Sequence, residues 1–581
     1  MILYLIVDSA VEERNPPCRV NYLSSSHKKI SNNLLHNRLN FVIPIQNQFQ
    51  NIIFAERKIQ RMEQMLKNLP IGIQDFEKLR KENYLYVDKT ALMHRLVSTG
   101  SYYFLSRPRR FGKSLLISTL KAYFLGKKDL FKDLAVEQLE QKWTVHPVLH
   151  LDLNTAKYKE PGKLDAVLDK TLSKWEKLYD IKPHDPDFGM RFEDVIQCAY
   201  DKTGERVVIL VDEYDKPLLE TIDNEALQED YRSTLKSFYG ALKSKDDCIK
   251  FAMLTGVTKF GKVSVFSDLN NLNDISLDND YYNICGISEE ELKGVFEPYV
   301  NRLAEARKMT QSEAYSELKR NYDGYHFTEE AQGMYNPFSL LNALHKRSFG
   351  SYWFETGTPS YLVELLKRHD FKLDELKGDE VTANVLSAID ASSSNPIPVI
   401  FQSGYLTISG YDEEFKLYSL DFPNEEVREG FMLYLMPYYT SVSENKTGFQ
   451  IRSFVREVKS GDITAFMTRL ESFFANTPYD LIKDTENHYQ NVLFILCNLC
   501  GLYTKAEFHT SNGRVDMTIE TPDYVYVFEF KYNGTAEEAM AQIKEKNYAQ
   551  PFLASGKKIA LIGANFSGET RNIEKYLDEW L

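Results

Sequence analysis

The sequence predicts an α/β protein. It has a P-loop-type parallel sheet with helical crossovers, then a helical middle, then a second and smaller α/β unit. Three observations predict this. Between Pro70 and about Ile275, short apolar runs alternate with segments of helical apolar spacing. Residues 281 to about 450 are mostly helical in pattern. From about 451, a helical stretch leads back into short strand patterns. The boundaries read from these shifts are 1–61, 62–280, 281–450 and 451–581, in keeping with a length of 581 residues.

Residues 1–61 lack sustained periodicity. They are rich in Asn, Ser, Gln and His and contain Pro16-Pro17. A poorly ordered extension is expected there. Met62 and Met65 directly precede the first patterned segment, so either is a candidate start. Tyr102–Ser106 then reads as a strand, and Ser114–Phe124 as a helix with apolar positions Leu115, Leu116, Leu120 and Phe124. Val148–Leu153 and Phe251–Val257 are further strands. Arg206–Val211 is a nearly continuous apolar run, typical of a strand buried on both faces. Gln228–Leu242 is one of the intervening helices.

In the middle, GYLTISGYDEEFKLYSLDFPNEEV reads as two strands around a Gly-Tyr-Asp-Glu turn, with Pro423 at a helix start. Helix, hairpin and helix in this order suit a winged-helix-like piece. The C-terminal unit reads as helix Asp484–Leu499, strands Val515–Ile519, Tyr524–Lys531 and Lys558–Ile562, and helix Ala536–Glu545 before the last strand. Tyr322, Tyr325, Trp353 and Phe354 read as core packing rather than base-stacking platforms.

The net charge of −13 means nucleic acid is not attracted by the chain as a whole, so such contacts need local basic patches. Six cysteines are too few for a disulfide scaffold, and reduced thiols in a cytoplasmic setting are expected. Cys497 and Cys500 form a CxxC, but inside an apolar helical run, so they read as core residues. No apolar stretch reaches the roughly 20 residues a membrane span needs. The opening MILYLIVD has no basic segment before its apolar run and is stopped by Asp8, so a signal peptide is not expected.

Two stretches carry chemistry. The first is RPRRFGKS, Arg107–Ser114, with VVILVDEYD about a hundred residues later. A Gly-Lys-Ser opening a helix supplies N–H groups and an ammonium for phosphates, and a hydroxyl for Mg²⁺. An apolar strand ending in Asp-Glu supplies one carboxylate for the metal and a second for water. Arg107 stands where the usual first glycine would be, so the loop must enter its helix by a different path. Arg107, Arg109 and Arg110 offer three guanidinium forks suited to phosphate oxygens, the alternative being surface charge. Asp215, just before Lys216-Pro217, reads as the cap of the following helix.

The second stretch is GRVDMTIETPDYVYVFEFKYN. Glu529 and Lys531 are two apart on a strand and point the same way, with Val525 and Val527 continuing that face. A hairpin across Glu520–Asp523 would bring Asp516, on the preceding strand, alongside them. Two carboxylates at one point repel unless a cation joins them, and oxygen ligands suit Mg²⁺. A lysine beside the metal can act on water that attacks a phosphodiester. Glu486, in the first turn of the preceding helix, is a candidate fourth member. Gln542 and Tyr548 follow on and after the next helix. The alternative is an ordinary solvated Glu–Lys pair.

Pro70 to about Ile275 resembles the AAA-ATPase-like family of bacterial proteins through LPIGIQDFEKLR, YLYVDKTALM, YFLSRPRRFGKSLL, VVILVDEYDKPL and LTGVTKFGKVSVFSDLNNLNDIS. The C-terminal unit resembles the PD-(D/E)xK nuclease superfamily, which shares the restriction-endonuclease-like fold. NYDGYHF, YNPFSLL, YWFETGTP, FQSGYLTI and FPNEEV resemble the fused arrangement of the two. The resemblance implies ATP and Mg²⁺ as cofactors. Gly112 and Lys113 would face the phosphates, with Arg109 and Arg110 beside them. Ser114 and Asp212 would hold Mg²⁺, Glu213 would polarise water, and Thr255 would sit in a sensor-like position near the γ-phosphate. Asp516 and Glu529 would hold the second Mg²⁺. The implied partner is nucleic acid, DNA first, with no membrane and with self-association as a homo-oligomer open. The implied activity is ATP hydrolysis coupled to phosphodiester cleavage. The alternative is a nucleotide-switched interaction or DNA-binding protein whose nuclease fold is catalytically silent.

Overall fold

In the computed structural model, the apolar runs of the N-terminal part form one parallel sheet. Its strands are β1 (Tyr102–Ser106), β2 (Val148–Asp152), β3 (Val207–Asp212), β4 (Ile249–Gly256) and β5 (Asn273–Asp274), in the order β2-β3-β4-β1-β5. Helices α1 (Lys113–Phe124), α2 (Lys163–Leu178), α3 (Phe188–Thr203) and α4 (Glu225–Ser244) connect and cover them. Side chains alternate between the two faces of a strand, which explains the double burial. Tyr103, Leu105, Val208 and Leu210 pack with Ile117, Leu120 and Phe124 of α1. Phe104, Ile209 and Val211 pack on the other side with Val195 of α3 and Phe238 of α4. The acidic strand β3 is separated from the loop strand β1 by β4. The carboxyl ends of all three therefore share one edge, where open α/β sheets bind ligands.

The structure describes residues 66–581 except 183–185, 260–264, 267–268, 270, 331, 355–361, 363–364, 367–370, 377–379, 388–394, 441–443, 476–484, 502–504 and 509–514. The expected extension 1–61, Met62, Met65 and the expected helix start at Asp484 lie outside the described residues. Leu69–Leu581 make one compact unit.

The middle contains α5 (Glu297–Arg307), α6 (Gln311–Tyr322) and α7 (Pro337–Lys346). It is less purely helical than its periodicity suggests. A third strand, β6 (Glu380–Thr382), precedes α8 (Ala383–Ser387) and α9 (Ile397–Gln402), and the expected hairpin follows as β7 (Thr407–Asp412) and β8 (Leu417–Asp421). The three strands are antiparallel in the order β6-β8-β7. Strand, two helices and hairpin in this order have winged-helix connectivity. Helix α10 (Glu425–Tyr439) begins at the Asn424 cap and carries Pro437 in its last turn.

The C-terminal unit contains α11 (Glu444–Ser460), α12 (Ile463–Ala475) and α13 (Thr485–Gly501), then β9 (Lys505–Phe508), β10 (Met517–Glu520), β11 (Tyr524–Tyr532), α14 (Ala536–Glu545), β12 (Lys558–Ser567) and β13 (Asn572–Trp580). Strand order is β13-β12-β11-β10-β9, with only β11 and β12 parallel. Thr535 and Glu538 form a reciprocal capping box that starts α14. Met540 and Ile543 of α14 cover Val525 and Val527. A Cβ on Gly563 of β12 would lie 2.6 Å from the Met540 nitrogen, so glycine lets this helix lie close on the sheet. Tyr526 and Phe528 face the opposite side, where Phe466 of α12 packs on Phe528 and Tyr489 of α13 stacks on Phe566. Cys497 and Cys500 are buried in α13, as expected of core residues.

Candidate functional site

The loop after β1 turns into α1 through left-handed backbone at Arg110 (φ 68°) and Gly112 (φ 99°). Arg107 is not in that region, so replacing the usual first glycine costs no strain here. Among the described residues, the N–H groups of Arg110, Phe111, Gly112, Lys113 and Ser114 donate to no protein acceptor. Five successive open donors at a helix start favour an anion. A Cβ on Gly112 would meet nothing within 4 Å, so the loop faces open space at that point. The Lys113 side chain is only 3% exposed. Its ammonium donates to the carbonyls of Arg107 (3.0 Å) and Pro108 (3.3 Å) and pairs with Glu213 (3.3 Å).

The three arginines part company. Arg107 is turned inward and is 1% exposed, which corrects its reading as a phosphate fork. Its guanidinium lies 3.9 Å from the centre of the Phe327 ring. It donates to the carbonyls of Ser106 (2.9 Å) and Ser276 (2.8 Å), so it ties the loop to the segment just after β5. Burial without a carboxylate partner pushes its pKa down to about 10. Arg109 and Arg110 are exposed, with Arg110 over the Phe338 ring at 4.5 Å.

Asp212 ends β3 and is buried. The Thr255 hydroxyl, on the adjacent β4, donates to the Asp212 carboxylate at 2.7 Å. Thr255 therefore orients the acid in this structure. Glu213 follows with left-handed backbone (φ 56°) that swings its side chain to Lys113. Ser114 is half-buried in the first turn of α1. Asp215 occupies the N-cap position of the following helix as expected, but its side chain makes no capping bond there. Its buried carboxylate instead accepts from the N–H groups of Val257 (3.2 Å) and Thr258 (2.6 Å) and from the Thr258 hydroxyl (2.8 Å). Burial first, then the nearby Glu213 charge, raise its pKa to about 6.

The middle region closes over the loop. A cavity beside the loop is lined by Arg107, Pro108, Lys259, Phe327, Phe401 and Gln402. The Gln402 side chain accepts from the Lys259 N–H at 2.6 Å. Helix α9 is thereby tied to the turn after β4, and Ile397, Val399 and Ile400 are buried. The Trp353 indole N–H donates to the Arg109 carbonyl at 3.2 Å. Sequence reasoning assigned Trp353 to the core and gave Gln402 no role. Their contacts span more than a hundred residues, so no local pattern signals them.

At the C-terminal site, Met517 pairs with Phe528 across β10 and β11. Asp516 sits at the bend just before β10 rather than within it, which corrects its placement on the strand. Its carboxylate accepts from the Phe530 N–H at 2.8 Å, which brings it beside Glu529. Glu529 is 1% exposed, and its Oε1 accepts from the Lys531 ammonium at 3.0 Å and from the Gln542 amide. The Gln542 carbonyl accepts from Lys531 at 2.5 Å, and its amide donates to the Tyr548 hydroxyl at 3.2 Å. Glu529 Oε2 is buried with no hydrogen-bond partner. Burial, then the Glu529 charge, push Asp516 up to about 7, and burial also raises Glu529. Glu486 is exposed in the first turn of α13, whose Tyr489 packs on the opposite, aromatic face of the sheet.

An orphaned buried oxygen beside a second crowded carboxylate fits a hard divalent cation. Among the described residues no group of three or more His, Cys, Asp and Glu is clustered to hold a metal. The pair would thus leave most coordination positions to water and substrate, the habit of Mg²⁺.

The family model described as "Predicted AAA-ATPase" matches residues 70–266. That for the PD-(D/E)XK nuclease superfamily matches residues 484–576. An Azotobacter chroococcum mcd 1 protein, named as an uncharacterized protein in the vnfD 5′ region, is 37% identical over 529 residues, 89% of this chain and 99% of that protein. The chain belongs to this family. It is an AAA-ATPase-like domain fused to a PD-(D/E)XK nuclease superfamily domain. The loop from Arg107 to Ser114 and the Asp212–Glu213 pair lie in the first match, and Asp516, Glu529 and Lys531 lie in the second. Among the described residues, no helix is long and apolar enough to cross a membrane.

Proposed function

We propose that this protein binds and hydrolyses ATP and couples that step to phosphodiester cleavage, with DNA as the substrate. The observation that carries the reading is the C-terminal cluster. Glu529 holds Lys531 and Gln542 with one oxygen and leaves the other buried and unpartnered beside Asp516. Asp516 and Glu529 would hold Mg²⁺ there, as Ser114 and Asp212 would at the nucleotide. When bound, the metal supplies Lewis-acid polarisation of a phosphoryl oxygen.

The chain's own residues do the rest. Open N–H groups from Arg110 to Ser114 bind the phosphates, and Arg109 and Arg110 add charge from the exposed rim. With a triphosphate in the loop, Lys113 exchanges its carbonyl partners and Glu213 for phosphate oxygens. Glu213 is then available to orient water for attack on the γ-phosphorus. Thr255 keeps Asp212 in one orientation. At the second site Lys531 orients the water that attacks the phosphodiester, and Gln542 fixes both Lys531 and Glu529. Because the net charge is −13, DNA would be held by local basic patches.

The test is purified protein with ATP, Mg²⁺ and a panel of DNA and RNA, scored for phosphate release and for strand cleavage. Both activities are expected, with DNA cut. If ATP is bound but no nucleic acid is cut with any ion, cleavage fails. DNA binding in Ca²⁺ under those conditions identifies a nucleotide-switched DNA-binding protein.

A further inference from the structure

We infer that Trp353 is a positioning residue of the nucleotide site. It aims one of the loop's phosphate donors from a segment more than two hundred residues away. This deepens the ATP-binding reading and rests on it. A peptide unit is planar and trans, so its carbonyl and N–H point in opposite directions. The Arg109 carbonyl is held by the Trp353 indole N–H at 3.2 Å. The N–H of Arg110, in the same peptide unit, is therefore turned away from Trp353, and it donates to no protein group among the described residues. The Phe111 carbonyl is fixed in the same way by the Gly286 N–H at 3.1 Å, which turns the Gly112 N–H outward.

The loop needs such anchors. Arg110 holds left-handed backbone that arginine does not favour (φ 68°), so the Arg109–Arg110 peptide has an incentive to flip. Trp353 is itself held. Its backbone N–H donates to Glu426 at 2.7 Å, and Glu426 is buried in the first turn of α10. Its ring packs against Tyr405 (5.1 Å) and Phe354 (5.3 Å). Gly404, next to Tyr405, touches the loop as well: a Cβ there would lie 2.6 Å from the Pro108 ring. The direction of a phosphate donor is thus set by the middle region, not by the ATPase sheet.

The experiment measures binding of ATP and of inorganic tripolyphosphate by calorimetry, using the full chain, Trp353→Phe and Lys113→Ala. Phenylalanine keeps a packed aromatic ring, although a smaller one, and removes the N–H donor. We expect Trp353→Phe to weaken ATP and tripolyphosphate by the same factor, about three- to tenfold, the worth of one neutral hydrogen bond. A purely packing role would instead lower the melting temperature and leave tripolyphosphate affinity unchanged. Should Trp353→Phe melt well below the parent, replacing Trp353 with 3-benzothienylalanine, which keeps the bicyclic shape without the N–H, carries the test. Parental affinity in the variant that folds overturns the inference while the ATP reading stands. Equal, negligible binding by the parent and Lys113→Ala overturns the ATP reading itself.

Discussion

The two candidate sites are opposites in charge, although both are centred on a lysine paired with a glutamate. In the phosphate loop, Lys113 is buried against Glu213 at 3.3 Å, and the loop adds N–H donors and the rim guanidiniums of Arg109 and Arg110, with the Asp212 carboxylate at the neighbouring strand end. In the C-terminal site, Lys531 meets Glu529 at 3.0 Å with 28% of its side chain exposed, and the surroundings are carboxylates. The first presents donors suited to an anion. The second presents acceptors suited to a cation. The same pair, an acid beside a lysine, thus sits in opposite surroundings, and those surroundings rather than the pair distinguish the two sites.

The largest effect expected from breaking this comparison is at the acceptor-rich site. Asp516→Asn or Glu529→Gln removes a charge from the pair that would bind metal. Lewis-acid stabilisation is worth several kcal/mol, so cleavage should fall about a thousandfold or more while ATP hydrolysis persists. Gel assays of strand cleavage beside phosphate release check this. Unchanged cleavage in both variants would remove the nuclease assignment.

Next comes the donor-rich site. Lys113→Ala loses a charge-assisted bond of roughly 1.5–3 kcal/mol, so ATP affinity should drop about ten- to a hundredfold. Glu213→Gln should still bind ATP and lose hydrolysis by about 10²- to 10⁴-fold, as expected when a proton-transfer group is removed. Binding and turnover measured together separate the two roles. If Glu213→Gln turns over normally, its pairing with Lys113 is structural only.

Gln542→Ala sharpens the comparison further, because Gln542 orients both Glu529 and Lys531 without being a ligand. Outer partners of metal ligands typically matter by 10- to 100-fold, so a cleavage loss of about that size is expected, partly recovered by raising Mg²⁺.

The smallest effect is on stability. Asp516 sits at about 7 against an ordinary 3.8, so the folded chain holds a proton that the unfolded chain has released. Its contribution is present at low pH and is lost as pH rises from about 4 through about 7. Metal-free protein should therefore melt at lower temperature at pH 8 than at pH 5.5, Asp516→Asn should flatten part of that slope, and Mg²⁺ should restore stability at pH 8. Parallel melting curves for parent and variant across that range would contradict the crowded-carboxylate picture.

Some of this was legible in the chain and some was not. The start of helix α14 at Ala536 is legible, because the Thr535–Glu538 capping box is a local signal. Strands β1 to β4 of the parallel sheet were likewise legible within a residue or two, since burial on both faces leaves continuous apolar runs. Strands β5, β6, β9 and β13 were not read. They are edge strands, whose sequences answer to a neighbour on one side only and include charged stretches such as Glu574-Lys575 in β13.

The residue types of each candidate site are legible in the chain, because a loop, its helix and a strand-end acid pair are set by neighbouring residues. Only the tertiary structure decided which similar groups do which work. Arg107, Arg109 and Arg110 are equivalent as letters, yet Phe327 and the Ser276 carbonyl draw the first inward and leave the others at the rim. The Asp215 carboxylate bonds to the turn after β4 rather than to its own helix. Trp353 reaches the Arg109 carbonyl across 244 positions. The physical reason is the same each time: a side chain's type is local, but the desolvation and partners that fix its role come from whatever the fold packs against it.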